Sequence, residues 1–208
     1  MNQPTDTNQP KQAEPNTLKG VRLPINRYVL FCALAFSGLA VDLYTKTYFF
    51  DHYHDSLKTP NQVDWWLNGI LGVQTSFNGG ALFGMFQGQS FALAGLSLIA
   101  LVGIMVWLFW FKMAISRWLT VALGLIAGGI VGNLYDRMGF GYVMRYGEQH
   151  TYHVRDWIHF RLQGVPFCDP WPNFNIADSL LVTGAVMLFL FALFVPDPTA
   201  SKSAKSDA

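Results

Sequence analysis

The chain has 208 residues, enough for one domain, and 51% of it is hydrophobic while only 13% is charged, against about 25% charged in soluble domains. Its 17 Phe, 7 Trp and 8 Tyr are the aromatic content of a protein that meets a membrane interface. A formal net charge of +1 leaves no basic face to neutralise phosphates, which argues against a nucleic-acid partner.

Residues 1–24 are rich in Asn, Gln, Thr, Pro and Lys with almost nothing to bury, and are expected to form a disordered tail. The first apolar stretch, about 28–48, contains Cys32 and is interrupted by Asp42 and Lys46. A long polar tail precedes it and no small-residue cleavage site follows, so it reads as an uncleaved anchor. Next come Val63–Leu67, then Asn68-Gly69, then Ile70–Phe77. Asn-Gly between two β-prone runs predicts a hairpin with a type I′ turn, which needs positive φ at both central residues. A small β-element is expected over about 60–86, with Trp65 and Trp66 suited to the headgroup layer. Residues 91–111 carry no charge and are long enough to cross ~30 Å of hydrocarbon. The third stretch, 118–135, carries Gly124, Gly128 and Gly132 at four-residue spacing, a flat face that lets another helix approach. The fourth runs over 177–195, and 197–208 reads as a second disordered tail.

Lys19, Arg22 and Arg27 precede the first span, Lys112 and Arg117 lie in the link between the second and third, and Lys202 and Lys205 follow the fourth. The positive-inside rule puts both termini and that link in the cytoplasm and the two longer segments outside. The expected fold is therefore an α-helical integral membrane protein, with four transmembrane helices, a small extracytoplasmic β-element and disordered termini around a domain spanning 25–196.

Ionisable residues inside a bilayer are costly and ask for a reason. Here they collect at one level: Asp42 and Lys46 at the outer end of span one, Asn133, Asp136 and Arg137 at that of span three, Asn175 and Asp178 at the start of span four. Asn78 and Asp156 lie in the outer segments, so a shared site at the outer boundary is expected. Each group also has a local explanation. Asp42 and Lys46 form an i,i+4 acid-to-base pair, Asn175 and Asp178 resemble a capping box, and Asp136 beside Arg137 reads as an ion pair closing the third span. His52, His54, His150, His153 and His159 show no ligand spacing, and neither an HExxH nor a G-x-S-x-G pattern occurs. Cys32 and Cys168 make neither a disulfide framework nor a metal site, and Cys32 reads as a small buried apolar residue. No metal and no cofactor are expected. The acids Asp42, Asp136, Asp156 and Asp178 remain. Two carboxylates held close cannot both ionise, so one keeps a proton while the other acts as base toward a water. This chemistry hydrolyses peptides without metal or covalent nucleophile, and the residue pattern alone does not choose the pair.

Five motifs occur in order: Asp42-x-x-x-Lys46; Asn78-x-Gly80-Ala81-x-Phe83; Gly128-Gly129-x-x-Gly132-Asn133-x-x-Asp136-Arg137; Val154-x-Asp156; and Trp171-Pro172-x-Phe174-Asn175-x-Ala177-Asp178. Together they resemble the lipoprotein signal peptidase (type II signal peptidase) family over about residues 28–195. The resemblance implies an aspartic endopeptidase of the bacterial inner membrane with Asp156 and Asp178 as its catalytic pair. It implies that Asn78, Asn133, Arg137 and Asn175 line the substrate site and that Asp136 supports it, while Gly80, Asp42 and Lys46 belong to the same motifs. The substrates implied are prolipoproteins with a diacylglyceryl group on the Cys after the scissile bond, met among membrane lipids by a monomeric enzyme.

Two departures stand out. Leu82 replaces a small residue, and the stretch from Arg137 to Asp156 is longer than the family pattern. An ungapped reading puts Arg145 where the first Asp belongs, and Arg stays protonated. An insert over about 138–155 would instead move the functional segment to Val154-Arg155-Asp156-Trp157, with the insert acting as a lid, a contact to anionic headgroups or a plain solvated loop. The rival functions are a catalytically inactive relative and a proton-coupled membrane transport component. A presenilin-type protease would use Leu134-Tyr135-Asp136 but lacks its Gly-x-Gly-Asp partner.

Overall fold

The structure, a computed structural model, describes residues 22–53, 62–80, 86–141 and 147–194. The expected tails beyond 22–24, and Ala81, Leu82, Phe83 and Arg145, lie outside these described residues. Within them the chain forms helix α1 (Ile25–Tyr53), strands β1 (Asp64–Leu67) and β2 (Leu71–Asn78), helices α2 (Ser90–Met105) and α3 (Arg117–Arg137), strands β3 (Val154–Phe160) and β4 (Trp171–Phe174), and helix α4 (Ile176–Phe194). A π-helical turn, Val106–Trp110, extends α2. With that extension, all four helices are long and apolar enough to cross a membrane.

Helix α3 is the centre of the bundle: 61% of its apolar window is buried, against 11% in each of the other three. Its glycines decide this. A methyl on Gly128 would stand 3.0 Å from the Ala35 carbonyl oxygen, and one on Gly132 would stand 2.5 Å from Asp42 Oδ2. The expected flat face is therefore filled by the backbone and a carboxylate of α1, two helices running parallel. Gly129 meets Ala177 and Leu181 on α4, and Trp118 Nε1 donates to the Met187 carbonyl at 2.7 Å, so α3 and α4 run antiparallel. At the Trp118 end, Phe31, Leu108, Leu119, Leu123 and Ala127 pack into an apolar core. Cys32 is not part of it; it is exposed, on the face of α1 turned away from the bundle, and neither Cys32 nor Cys168 is in a disulfide.

At the other end sits a four-stranded antiparallel sheet in the order β1-β2-β3-β4. It is larger than the hairpin expected from 60–86, because β3 and β4 come from the second long segment. Helix α1 has 29 residues, about 44 Å at 1.5 Å per residue, and its last turns leave the bundle to support the sheet. Phe50 is fully buried against Val73, Trp157 and Ile158, and Phe49 stacks on Trp157 with centroids 3.8 Å apart. Trp66 is exposed and Trp65 half-buried.

One expectation changes. The hairpin loop has three residues, Asn68 to Ile70, closed by the Ile70 N–H donating to the Leu67 carbonyl at 2.9 Å. Gly69 takes a φ of +73° while Asn68 does not turn positive, so this is not a type I′ turn. Within the segment 138–155, Val154 and Arg155 are already paired with Asn78 and Phe77 of β2.

Candidate active site

The polar residues singled out above meet where α1, α3, β3 and the start of α4 converge. The core of the cluster is ionic. Lys46 is fully buried and lies 2.7 Å from Asp42 and 3.2 Å from Asp136. Its ammonium also donates to Asn133 Oδ1 at 3.0 Å. Asp42 in turn accepts from the Ala177 N–H at 2.9 Å, capping the first turn of α4. The i,i+4 pair is thus present, but its cation joins α1 to α3, and its acid joins α1 to α4.

Asp136 does not pair with its neighbour. Consecutive helical residues point about 100° apart, and Asp136 turns inward while Arg137 turns to the cavity. Arg137 donates to the Gly80 carbonyl at 3.0 Å, and the Gly80 N–H donates to Asn78 Oδ1 at 2.9 Å. The partner of Asp136 is Arg155, whose Nε and Nη2 reach its Oδ1 at 3.0 and 2.8 Å. Arg155 was not among the residues singled out from the sequence. The signal that marks it is a charged residue inside an apolar strand, next to an acid.

Strand alternation turns Arg155 and Trp157 of β3 toward the helices and Val154 and Asp156 toward a cavity of about 420 Å³. Asp178 reaches the same cavity from the first turn of α4, and Asn78, Asn133 and Arg137 also line it. Asn175 is fully buried between the two acids. Its side-chain amide donates to Asp156 Oδ1 at 2.6 Å, and its backbone N–H donates to Asp178 Oδ2 at 3.2 Å. The Asp178 N–H donates back to Asn175 Oδ1 at 3.0 Å, so the expected capping box is formed in both directions. Asn133 donates to Asp178 Oδ1 at 2.8 Å, and Asn78 to Asp156 Oδ2 at 3.2 Å. All ten residues expected at the site are thereby joined in one hydrogen-bonded and ion-paired cluster. Asp42, Lys46 and Asp136 lie behind the cavity rather than in its wall.

The wall also holds residues that the sequence did not single out. Asn173 of β4 donates to the Gln74 carbonyl at 3.0 Å and to Ser76 Oγ at 3.1 Å, and its Oδ1 lies 2.8 Å from His159 Nδ1. These contacts tie the sheet together across β3.

Burial and, second, the nearby Asp178 carboxylate push the Asp156 carboxyl well above the usual carboxylate range, against the pull of Lys46 and the Asn78 and Asn175 amides. Charge counting points the same way. The cluster holds four acids (Asp42, Asp136, Asp156, Asp178) and three cations (Lys46, Arg137, Arg155). Fully ionised it would carry one uncompensated negative charge, and buried charge without a partner is costly. A single proton, which burial favours on Asp156, would balance it. Two carboxylates in one cavity, one protonated and one ionised, are equipped for general acid and general base work on a water.

A family model described as signal peptidase (SPase) II matches residues 34–194. The lipoprotein signal peptidase of Rhodopirellula baltica is 46% identical over 176 residues, 85% of this chain and 77% of that protein. That of Pseudomonas putida is 35% identical over 159 residues, 73% of this chain and 80% of that protein. A solved bacterial membrane enzyme, determined by the in meso method at 2.3 Å resolution, superposes with a TM-score of 0.62 at 24% identity, over 78% of this chain and 87% of that one. The last comparison shows the shared fold, and the first three show kinship. With a family match across the whole bundle and sheet, the chain belongs to the signal peptidase II family and is a multi-pass bacterial membrane peptidase.

Proposed function

We propose that this protein removes the signal peptide from prolipoproteins whose Cys after the scissile bond carries a diacylglyceryl group, using Asp156 and Asp178 to activate a water. The observation that carries this reading is Asn175, which donates to Asp156 from its side chain and to Asp178 from its backbone and so holds both carboxylates at one cavity. The ionised carboxylate takes a proton from the water as its oxygen attacks the scissile carbonyl carbon. The protonated one gives its proton to the carbonyl oxygen, forming a tetrahedral diol. Return of a proton to the amide nitrogen breaks the C–N bond and leaves the lipid-modified Cys as a new N-terminus. Burial favours the proton on Asp156, which leaves Asp178 to act as the base. Arg137 and Asn78, which are half-buried at the cavity, offer donors to the substrate backbone.

The site is read at the outer face of the membrane with both termini in the cytoplasm. This is supported by Arg22 just before α1, Arg27 in its first turn, Lys112 between α2 and α3 and Arg117 at the start of α3, all at the end of the bundle away from the sheet.

The test is signal-peptide release from a diacylglyceryl-modified prolipoprotein by the purified protein in detergent and lipid. Asp156→Asn and Asp178→Asn are each expected to lower kcat by roughly 10³-fold or more, with the protein still folded. Asp136→Asn is expected to weaken cleavage without abolishing it. Full activity in either of the first two variants rejects the dyad, and a folded wild type that cleaves no modified substrate rejects the function.

A further inference from the structure

Arg155 precedes Asp156 and is 4% exposed. Both its side chain and its backbone are engaged. Its guanidinium forks onto Asp136 Oδ1, its N–H donates to Asp136 Oδ2 at 3.1 Å, and its carbonyl accepts from Asn175 Nδ2 at 3.4 Å. The loop leaving α3 closes over this pair as bare backbone. A methyl on Gly141 would stand 2.8 Å from Arg155 Nη2 and would collide with Asp136 Oδ1. The chain at Gly141 is thus shaped to the Arg155–Asp136 pair.

Lys46 cannot substitute for Arg155, since it already serves Asp42, Asp136 and Asn133. Without Arg155, Asp42 and Asp136 would share one cation, and the cluster would carry one more negative charge than now. The groups around Asp156 that would feel it are Asp42 and Lys46 from α1, Asp136 and Arg137 from α3, Asp178 from α4, and His159 further along β3 in the same cavity.

We propose that Arg155 is a positioning residue for the cleavage reaction: clamped on Asp136, it fixes β3, and with it Asp156, against α3 and keeps the buried cluster at the charge of one shared proton. The proposal rests on the reading of Asp156 and Asp178 as the dyad. An Arg suits the task because its planar guanidinium brings two N–H groups to one carboxylate oxygen and never loses its charge.

The experiment measures kcat and KM against pH for wild type, Arg155→Met, Arg155→Lys, Asp136→Asn and the double variant Arg155→Met/Asp136→Asn, with the unfolding midpoint of each. Arg155→Met is expected to lower kcat by about 10- to 100-fold, the cost of a small misplacement of a reacting group, with KM changed less than about 3-fold. Its pH optimum should move upward by about one unit, because an extra negative charge raises both apparent pKa values of a carboxylate pair. Lys keeps the charge but not the fork, so Arg155→Lys should hold the wild-type profile with a reduced kcat. Removing the acid as well should bring the double variant's profile back to the wild-type position. A wild-type rate and profile in Arg155→Met overturns the proposal. So does a lowered rate with an unshifted profile and no return in the double variant, which would leave Arg155 a purely structural support. Where Arg155→Met does not fold, the double variant decides alone: a profile at the wild-type position supports the proposal and a displaced one overturns it. Failure of the dyad reading shows separately, as wild-type cleavage by Asp156→Asn.

Discussion

The two ends of the bundle are built from different interactions. Around Leu119 and Leu123 the helices meet through apolar side chains packed against Phe31, Leu108 and Ala127. In a membrane such contacts act mainly through close packing, because lipid is as apolar as the core. At the sheet end the same α1 and α3 meet each other and β3 through Lys46, Asp42, Asp136 and Arg155, all 5% exposed or less at the side chain. Packing contacts are many and individually weak, so one can be lost with local damage. Buried charges are few and mutually dependent, so losing one strands its partners. The apolar end therefore holds the helices together, and the charged end holds the site in one arrangement.

The sharpest way to break this comparison is Lys46→Met. It leaves Asp42 and Asp136 without their shared cation, and the expected cost is about 3–5 kcal/mol of stability together with loss of cleavage. A stable, active Lys46→Met would show that the ionic cluster is dispensable. Next in size is Leu119→Ala at the other end, which should cost roughly 2–4 kcal/mol while the kcat of the folded fraction stays within about 2-fold of wild type. A collapse of kcat in that variant would mean that the apolar end also sets the site.

The smallest effect concerns Asp156 itself. The folded protein holds this proton to higher pH than the unfolded chain does, so stability falls as pH rises from the usual carboxylate range through the raised value. Asp156→Asn removes that dependence. Its unfolding midpoint should match or exceed that of wild type at neutral pH, with the advantage closing as pH falls toward the usual carboxylate range. Destabilisation that is the same at every pH would instead assign Asp156 a structural role. Stabilisation on replacing Asp156 would mark it as a group kept for function rather than for the fold.

The residues of the cluster were visible in the sequence because ionisable groups near a bilayer are conspicuous, and because each sits at a helix end or in a short motif. The pattern of contacts was less visible. Asn173 reads as the variable position of its motif, yet it bridges β4 and β2. Arg155 reads as the filler between Val154 and Asp156, yet it grips Asp136. Sequence proximity also suggested pairing Asp136 with Arg137, whereas the helix sends them in different directions. The Asn-Gly signal located the hairpin but not its turn type, because pairing Leu67 with Leu71 leaves three residues for the loop.

What the sequence determined by itself was whatever depends on local chemistry. Apolar length set the four helices, the glycine spacing on α3 set the face that α1 approaches, and Asn175 with Asp178 set the start of α4. Only the tertiary structure decided which charges answer one another. Arg155 and Asp136 are 19 residues apart, and Lys46 and Asn133 are 87 apart. Which cation meets which acid follows from how β3 and α1 dock on α3. That docking is fixed by close packing across the whole bundle, a property no short stretch of the chain contains.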